Sequence, residues 1–450
     1  MNHWWIKYLP SQLRPMFEGR ETLQKVTGNT AWLFGDQVAR MFVGFFVLIL
    51  ITRYLGPEQF GVLSYCLAIV AMATPFYKMG IDGILLREST VLSEQSDRVI
   101  GTAIFLRCAA AFIVVPAVYF LVVYLRPGES IIHGLTLIIA LGILFRVFDV
   151  IEIWFHSQIV SRYGVVAKAS AYFISAIFKI ICVYMGYSLW AISSTFFIEA
   201  FLGSIFILVA YKAYGKHITK WRLDISICRN LLKEGSLLIF SGVFVHIYLE
   251  IDKLMIAYYL DDFSVGIYSA SVYLSSVWYF IPIIILQSVY STLVKDREAD
   301  ISTYNLRVDQ LFSFLALSSY AIIVPVALFS ENIIYLAYGK SFEGAASILS
   351  IHILSLVFVF LGVARNNVCT MERNSKFIFF ASLSGALVNV TLNLFFIPLY
   401  GTIGAAYATF LSYFITNVAV NFFYYRTRHI FICQLRSFLG LGFFSTKNAL

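Results

Sequence analysis

About twelve stretches of roughly 20 apolar residues follow one another along this sequence, and this pattern restricts the fold more than any other feature. An α-helix of that length crosses the hydrocarbon core of a membrane. Because lipid cannot hydrogen-bond to the backbone, each stretch must satisfy its own polar groups as a helix. The sequence therefore predicts an all-α, multi-pass membrane protein. The stretches lie near residues 30–52, 60–79, 100–124, 131–157, 164–186, 188–211, 235–259, 264–290, 307–329, 343–364, 375–398 and 402–425.

The composition agrees with this prediction and excludes several functions. Hydrophobic residues make up 60% of the chain and charged residues 13%, against about a quarter charged in soluble domains. The 6 cysteines stand singly, so neither a metal site nor a disulfide framework is predicted. The sequence has no glycine-rich dinucleotide turn and no P-loop. No cofactor is therefore expected, and this chain alone is not expected to use ATP.

Positive charge lies mainly on one side of the predicted topology. The loops on the opposite side hold little beyond Arg53, Arg126 and Lys340. Such an excess marks the cytoplasmic side, so both termini are predicted to be cytoplasmic. The formal net charge of +8 then reflects topology and contact with membrane lipids, and no nucleic-acid partner is expected. The connector 212–234 alone carries Lys212, Lys216, Lys220, Arg222, Arg229 and Lys233.

The two halves of the sequence are related by a weak repeat. Residues 54–62 (YLGPEQFGV) and 259–267 (YLDDFSVGI) lie between corresponding pairs of spans, 205 positions apart. Because six spans return the chain to the same side, we predict two six-helix lobes around a central cavity, which is typical of transporters. The predicted segments are a cytoplasmic N-terminal segment 1–29, lobes 30–211 and 235–425, a basic cytoplasmic linker 212–234 and a cytoplasmic tail 426–450.

Ionisable residues within the spans are the candidate site residues, because charge at bilayer depth costs about 2.5–3.5 kcal/mol unless it faces water or a partner. Local pairing is an equally good interpretation for several sets, since Asp36 and Arg40 are four residues apart, while Arg146 and Asp149, and Glu250 and Lys253, are three apart. The cations predicted to bind an anionic substrate are Arg40, Arg146, Lys179 and Lys253. The candidates for binding a coupling proton or Na⁺ are Asp149, Glu199, His246 and Glu250.

Three motifs resemble those of Wzx-type O-antigen flippases, which belong to the polysaccharide branch of the multidrug/oligosaccharidyl-lipid/polysaccharide exporter superfamily. They are residues 53–61 (RYLGPEQFG), residues 80–88 around Gly80-Ile81-Asp82-Gly83, and residues 252–270, which begin with Asp252-Lys253-Leu254-Met255. The resemblance covers nearly the whole chain, since the number and spacing of the spans also fit. The second half departs from the family at Asp261-Asp262, where glycine is more usual.

The resemblance implies a flippase of the bacterial inner membrane. It would move undecaprenyl-diphosphate-linked oligosaccharide from the cytoplasmic to the periplasmic leaflet, and Arg40 falls where related flippases place a cavity arginine. The O-antigen polymerase and the chain-length regulator are the protein partners that it suggests.

Two alternatives to a flippase are considered. A multidrug exporter of the same superfamily would favour an acidic, aromatic cavity, whereas the deep arginines favour an anionic ligand. An enzyme, either an O-antigen polymerase or a membrane glycosyltransferase, would need a large outer loop or a carboxylate-rich aqueous face. The sequence has neither feature, so the chain is predicted not to be an enzyme.

Overall fold

The computed structural model describes residues 21–91 and 95–444, which form helices joined by short turns and contain no strand. The predicted N-terminal segment 1–29 and tail 426–450 therefore lie partly outside the described residues. The helices are α1 (Glu21–Lys78), α2 (Asp82–Val91), α3 (Ser96–Leu125), α4 (Ser130–Leu141), α5 (Ile143–Arg146), α6 (Asp149–Ser157), α7 (Arg162–Tyr184), α8 (Leu189–Ala213), α9 (Ile225–Tyr259), α10 (Asp262–Ser276), α11 (Phe280–Ala299), α12 (Ile301–Leu328), α13 (Ser330–Tyr338), α14 (Ala345–His352), α15 (Leu356–Met371), α16 (Ser375–Tyr400), α17 (Thr402–Phe414), α18 (Val420–Phe423) and α19 (Arg428–Ser437). A π-helix at Ile415–Ala419 joins α17 to α18, and short 3₁₀ helices lie at Ile218–Lys220, Val277–Tyr279, Lys340–Phe342, Ile353–Ser355, Tyr425–Thr427 and Leu441–Phe444.

The membrane spans agree with the prediction from hydropathy. Within the described ranges, 10 helical stretches are long and apolar enough to cross a membrane. The first, Gly28–Val91, contains two predicted spans, because α1 continues through a kink at Gly56. Gly56 adopts φ 69°, a left-handed conformation that favours glycine. Helix α9 has 35 residues and covers the predicted span 235–259. The prediction of an all-α membrane protein with about twelve spans is therefore confirmed.

The chain divides into two compact units. The first contains the residues up to Leu48 together with Ala73–Phe240, and its apolar core includes Trp154 and Phe155. The second contains Ile49–Met72 together with the residues from Ser241 onward. Its core lies mainly between α12 and α15 and includes Phe312, Phe360 and Leu361. Helix α1 therefore contributes its first part to one unit and the residues around its kink to the other.

The part of α1 that belongs to the second unit packs closely against α10. A Cβ atom on Gly61 would overlap the backbone oxygen of Asp262, and one on Gly266 would overlap the backbone oxygen of Pro57. Glycine permits such close approach of helix backbones. The two contacts are reciprocal, since both Pro57 and Asp262, and Gly61 and Gly266, are 205 residues apart.

Several spans are interrupted. The span Ser130–Ser157 consists of α4, the single turn α5 and α6, with breaks at Gly142 and at Val147 and Phe148. The last span changes from α-helix to π-helix at Ile415. Interruptions at membrane depth are common around the binding sites of transporters, because they change the direction of side chains and release backbone groups. Arg146 and Asp149 both lie at the break between α5 and α6.

Candidate functional site

Arg40 on α1 is held by a carboxylate of its own helix. Its Nε donates a hydrogen bond of 2.8 Å to Asp36 Oδ1, and a second guanidinium nitrogen contacts the other carboxylate oxygen. The hydroxyl of Tyr172 on α7 donates to the backbone oxygen of Arg40 at 2.9 Å. The spacing of four residues anticipated the Asp36–Arg40 pair. Arg40 therefore carries a positive charge that the protein already compensates.

Lys179 on α7 also has a built-in counter-ion, but on another helix. Its Nζ lies 2.8 Å from Glu199 Oε2 on α8 and 4.3 Å from the centre of the Phe196 ring. Lys179 is only 7% exposed. A buried ion pair of this kind is costly to break, because removing one partner leaves an uncompensated charge. The structure thus pairs a predicted substrate-binding cation with a predicted coupling carboxylate.

Arg146 differs from these two cations. It lies in α5, near the middle of the span Ser130–Ser157, and its side chain is exposed on the surface of the protein. The nearby carboxylate of Asp149 pairs with Lys168 of α7 instead. No described residue forms an ion pair with Arg146. An exposed guanidinium at bilayer depth needs water or an anion beside it, so Arg146 is the predicted cation best suited to bind a ligand.

Glu152, one turn after Asp149 on α6, adds a partly compensated carboxylate to the same region. Its nearest basic partner among the described residues is His156, with Nε2 3.9 Å from Oε1. Lys168 and Arg40 also act on Glu152 electrostatically. Charges from α1, α6 and α7 therefore form one cluster in the first unit, in which Glu152 is the least compensated member. Arg146 precedes Asp149 of this cluster by three residues in the chain.

Lys253 and Glu250 form a predicted local pair within α9 of the second unit. Lys253 Nζ lies 2.6 Å from Glu250 Oε2 and 5.1 Å from the centre of the Tyr273 ring, and Lys253 is only 4% exposed. His246 lies one turn before Glu250 and is half-buried. In the described part of the chain, no group of three or more His, Cys, Asp or Glu side chains is arranged to hold a metal.

Asp252 is a buried carboxylate of α9 that was not among the residues predicted to bind the coupling ion. It is 3% exposed and is surrounded by neutral partners: Tyr268 and Thr409 donate to Oδ2 at 2.5 Å each, and Asn393 Nδ2 donates to Oδ1 at 2.6 Å. No cationic group of the described residues pairs with it. The Oδ1 atom of Asn393 is buried beside it without a hydrogen-bond partner.

The sequence could not reveal this centre, because its members are far apart in the chain. Asn393 and Thr409 are 141 and 157 residues from Asp252. The motif Asp252-Lys253 drew attention to the position, but it could not show which side chains surround Asp252. A buried carboxylate that has only hydrogen bonds and no cation beside it is stabilised further by a bound proton or a small cation. The Asp252 centre, formed by Asp252, Tyr268, Asn389, Asn393 and Thr409, has the oxygen atoms to provide such a site.

The fold and these intramembrane charges define a multi-pass α-helical membrane protein that keeps ion pairs within its spans. Residues 26–295, more than half of the chain, match the family described as polysaccharide biosynthesis protein. The chain therefore belongs to that family, which confirms the resemblance seen in the sequence. No curated protein matches the sequence.

Solved structures show the same fold at low sequence identity. The lipid II flippase MurJ in an inward closed conformation is 18% identical, with a TM-score of 0.70 over 90% of both chains. An inward-facing multidrug resistance transporter of the MATE family is 13% identical, with a TM-score of 0.69 over 90% of this chain and 96% of its own. A transporter of the MOP superfamily from Pyrococcus furiosus is 13% identical, with a TM-score of 0.61 over 94% of this chain and 95% of its own.

Proposed function

We propose that this chain is a flippase that moves undecaprenyl-diphosphate-linked O-antigen repeat units, or those of a related polysaccharide, from the cytoplasmic to the periplasmic leaflet of a bacterial inner membrane. Membership of the polysaccharide biosynthesis family supports a role with glycans. The fold shared with a lipid II flippase supports movement of a lipid-linked substrate. A transporter of this kind works by alternating access and needs no catalytic residues.

The lack of an ion pair at Arg146 is the observation that supports the proposed substrate class. The lipid-linked diphosphate is a polyanion, and a guanidinium binds it by two parallel hydrogen bonds. Arg40, Lys179 and Lys253 each form an ion pair with a carboxylate, whereas Arg146 forms none with any of the described residues. We assign Arg146 as the primary diphosphate contact. Arg40, Lys179 and Lys253 then set the surrounding potential while remaining paired.

The test is a deletion strain complemented with variants of this chain. We expect Arg146→Gln to reach the membrane in normal amount yet to lose the O-antigen ladder and to accumulate lipid-linked repeat units. Arg53→Gln is the matched control. Arg53 is also an exposed arginine, but it lies on α1 near the Gly56 kink and not on α5. A full ladder with Arg146→Gln would refute the role of Arg146. Drug sensitivity of the deletion strain with an intact ladder would instead favour the multidrug exporter.

We also propose that Asp252, rather than Asp149, Glu199, His246 or Glu250, binds the coupling cation. The three predicted carboxylates already have ammonium partners: Lys168 for Asp149, Lys179 for Glu199 and Lys253 for Glu250. Asp252 has only neutral partners, so binding of H⁺ or Na⁺ compensates its charge. In proteoliposomes, Asp252→Asn should fold and bind substrate but lose the dependence of transport on a proton or Na⁺ gradient.

The control for Asp252 is the double variant Glu250→Gln/Lys253→Gln, which removes an ion pair on the same helix without leaving an unpaired charge. This variant should keep its gradient dependence. Loss of the dependence in the double variant and its retention in Asp252→Asn would assign coupling to the predicted pair and refute the Asp252 proposal.

The proposed orientation places both termini in the cytoplasm. The basic residues of the connector 212–234 support it, because positive charge is retained on the cytoplasmic side. In that orientation the repeat unit would be delivered on the side of an O-antigen polymerase and a chain-length regulator, the partners that we expect. Reporter fusions after residues 233 and 340 test the orientation, with a cytoplasmic signal expected only for the first.

A further inference from the structure

A cavity of about 510 Å³ lies at one end of the second unit, away from the candidate sites described above. Its walls are the first turns of α12 and one face of α19, and Glu372 closes it after the end of α15. The lining side chains of α12 and of α19 each recur every three or four residues, so one stripe of each helix faces the cavity. The cavity thus lies where membrane spans begin and end.

The charged side chains that line this cavity differ in whether a neighbouring charge compensates them. Glu372 is engaged on two sides, by His429 Nε2 at 3.0 Å and by the Tyr304 hydroxyl at 3.3 Å. Arg436 lies 3.6 Å from the buried carboxylate of Asp309. Arg297, at the end of α11, lines the cavity and forms no ion pair with any residue in the described ranges.

The remainder of the lining is mostly apolar and comes from α12 and α19. A ligand that matches both features must carry a negative group for Arg297 and an apolar portion for the walls. At the boundary between membrane and water, the abundant molecules of that chemistry are anionic phospholipids. A soluble phosphate would satisfy the guanidinium but leave the apolar walls uncovered.

We propose that this cavity binds the phosphate headgroup of an anionic phospholipid, with Arg297 as the main contact and His429 and Arg436 as its neighbours. The bound lipid connects α12 to α19 and so holds these two helices of the second unit together. This site is independent of the proposed transport function, because it contains neither Arg146 nor any residue of the Asp252 centre. Under the proposed orientation it faces the cytoplasmic leaflet.

The experiment uses the full chain, delipidated in a neutral detergent. Thermal unfolding and native mass spectrometry are measured with phosphatidylglycerol, phosphatidylcholine or inorganic phosphate added. We expect only phosphatidylglycerol to raise the unfolding temperature and to remain bound. Arg297→Gln should weaken this binding about tenfold, the effect of one charge-assisted hydrogen bond. Because Arg297 has no ion pair to lose in the described structure, the variant should fold.

Arg426→Gln is the matched control. Arg426 is exposed and close in sequence to α19 but does not line the cavity. It should change phosphatidylglycerol binding by less than about twofold, as expected for a surface charge. Equal stabilisation by phosphatidylcholine or by inorganic phosphate would overturn the proposal, and so would an unchanged affinity in Arg297→Gln.

Discussion

Replacing Gly61 or Gly266 with alanine should destabilise the second unit. A methyl group at Gly61 would overlap the backbone oxygen of Asp262, and its distance to Gly266 N would be 2.9 Å. A methyl group at Gly266 would overlap the backbone oxygen of Pro57. Because the atoms in the way belong to backbones, no side-chain rotation can relieve the overlap. We expect each substitution to cost about 1–3 kcal/mol, toward the upper end of overpacking effects.

Helix α1 provides its own control. A Cβ atom on Gly35 would meet nothing within 4 Å. Gly35→Ala should therefore be neutral or stabilising by up to about 1 kcal/mol, since alanine restricts the unfolded chain and favours the helix. The double variant Gly61→Ala/Gly266→Ala should cost less than the two single variants together, because the first methyl group already separates the helices.

A thiol-reactive dye in detergent measures these differences, because Cys66 is buried on α1 five residues after Gly61. The dye should react with Cys66 at a lower temperature in Gly61→Ala and Gly266→Ala than in the native chain. If both variants unfold at the temperature of Gly35→Ala, the close crossing of these helices is wrong. Strict additivity in the double variant would also contradict it, since two independent sites would then be involved.

Three further predictions concern buried polar groups. Lys179→Met should destabilise the first unit by about 3–5 kcal/mol because it leaves Glu199 uncompensated, whereas Lys179→Met/Glu199→Gln should recover most of the loss in thermal unfolding. Gln434→Leu should release α19 from the last span, at a cost of about 1–3 kcal/mol, and should increase proteolysis of the C-terminus, because it removes two hydrogen bonds of 2.9 Å. Burial, with a smaller contribution from Asp309, raises the pKa of Cys433 to about 12. Its alkylation at pH 7–8 should therefore be much slower than that of Cys228, and should accelerate as the pH rises toward that value and thiolate forms.

Each of these predictions has a result that would contradict it. A double variant at Lys179 and Glu199 that is no more stable than Lys179→Met would show that the pair is not coupled. Unchanged proteolysis in Gln434→Leu would mean that the apolar contacts of α19 hold it against the last span without these two hydrogen bonds. Alkylation of Cys433 as fast as that of Cys228 at pH 7–8 would place the Cys433 thiol in water rather than between α12 and α19.

The spans could be predicted from the sequence because hydropathy depends on each segment alone. Residues 96–125, 162–184 and 189–213 lie within a few positions of the predicted spans. The breaks inside spans could not be predicted in this way. Gly142 is an ordinary small residue in an apolar stretch, and its role at the α4–α5 break depends on packing against α8. Helix α9 begins at Ile225, inside the predicted linker, because charged residues hide a helix from a hydropathy pattern.

The ion pairs of the candidate site also differ in whether the sequence alone could predict them. The pairs Asp36–Arg40 and Glu250–Lys253 lie within one helix, so the spacing alone suggested them. Lys179 pairs with Glu199, twenty residues away on the next helix, and no spacing rule within one helix could indicate this partner. The same limit applies to Arg146, whose spacing from Asp149 suggested a local pair. Only the position of α7 shows that Asp149 forms its ion pair with Lys168.

Arg146 and Asp252 are the two candidate charges that the described structure leaves without a counter-ion, and they carry opposite signs. A charge without a partner at membrane depth lowers stability, so any ligand that compensates it binds preferentially to the folded state. At a free concentration 100 times the dissociation constant, such a ligand would stabilise the protein by about 2.7 kcal/mol. A polyprenyl diphosphate should therefore raise the unfolding temperature of the native chain but not of Arg146→Gln. A proton or Na⁺ should do the same for the native chain but not for Asp252→Asn. Stabilisation that survives both substitutions would mean that these charges are compensated in some other way, and the proposed transport mechanism would lose its physical basis.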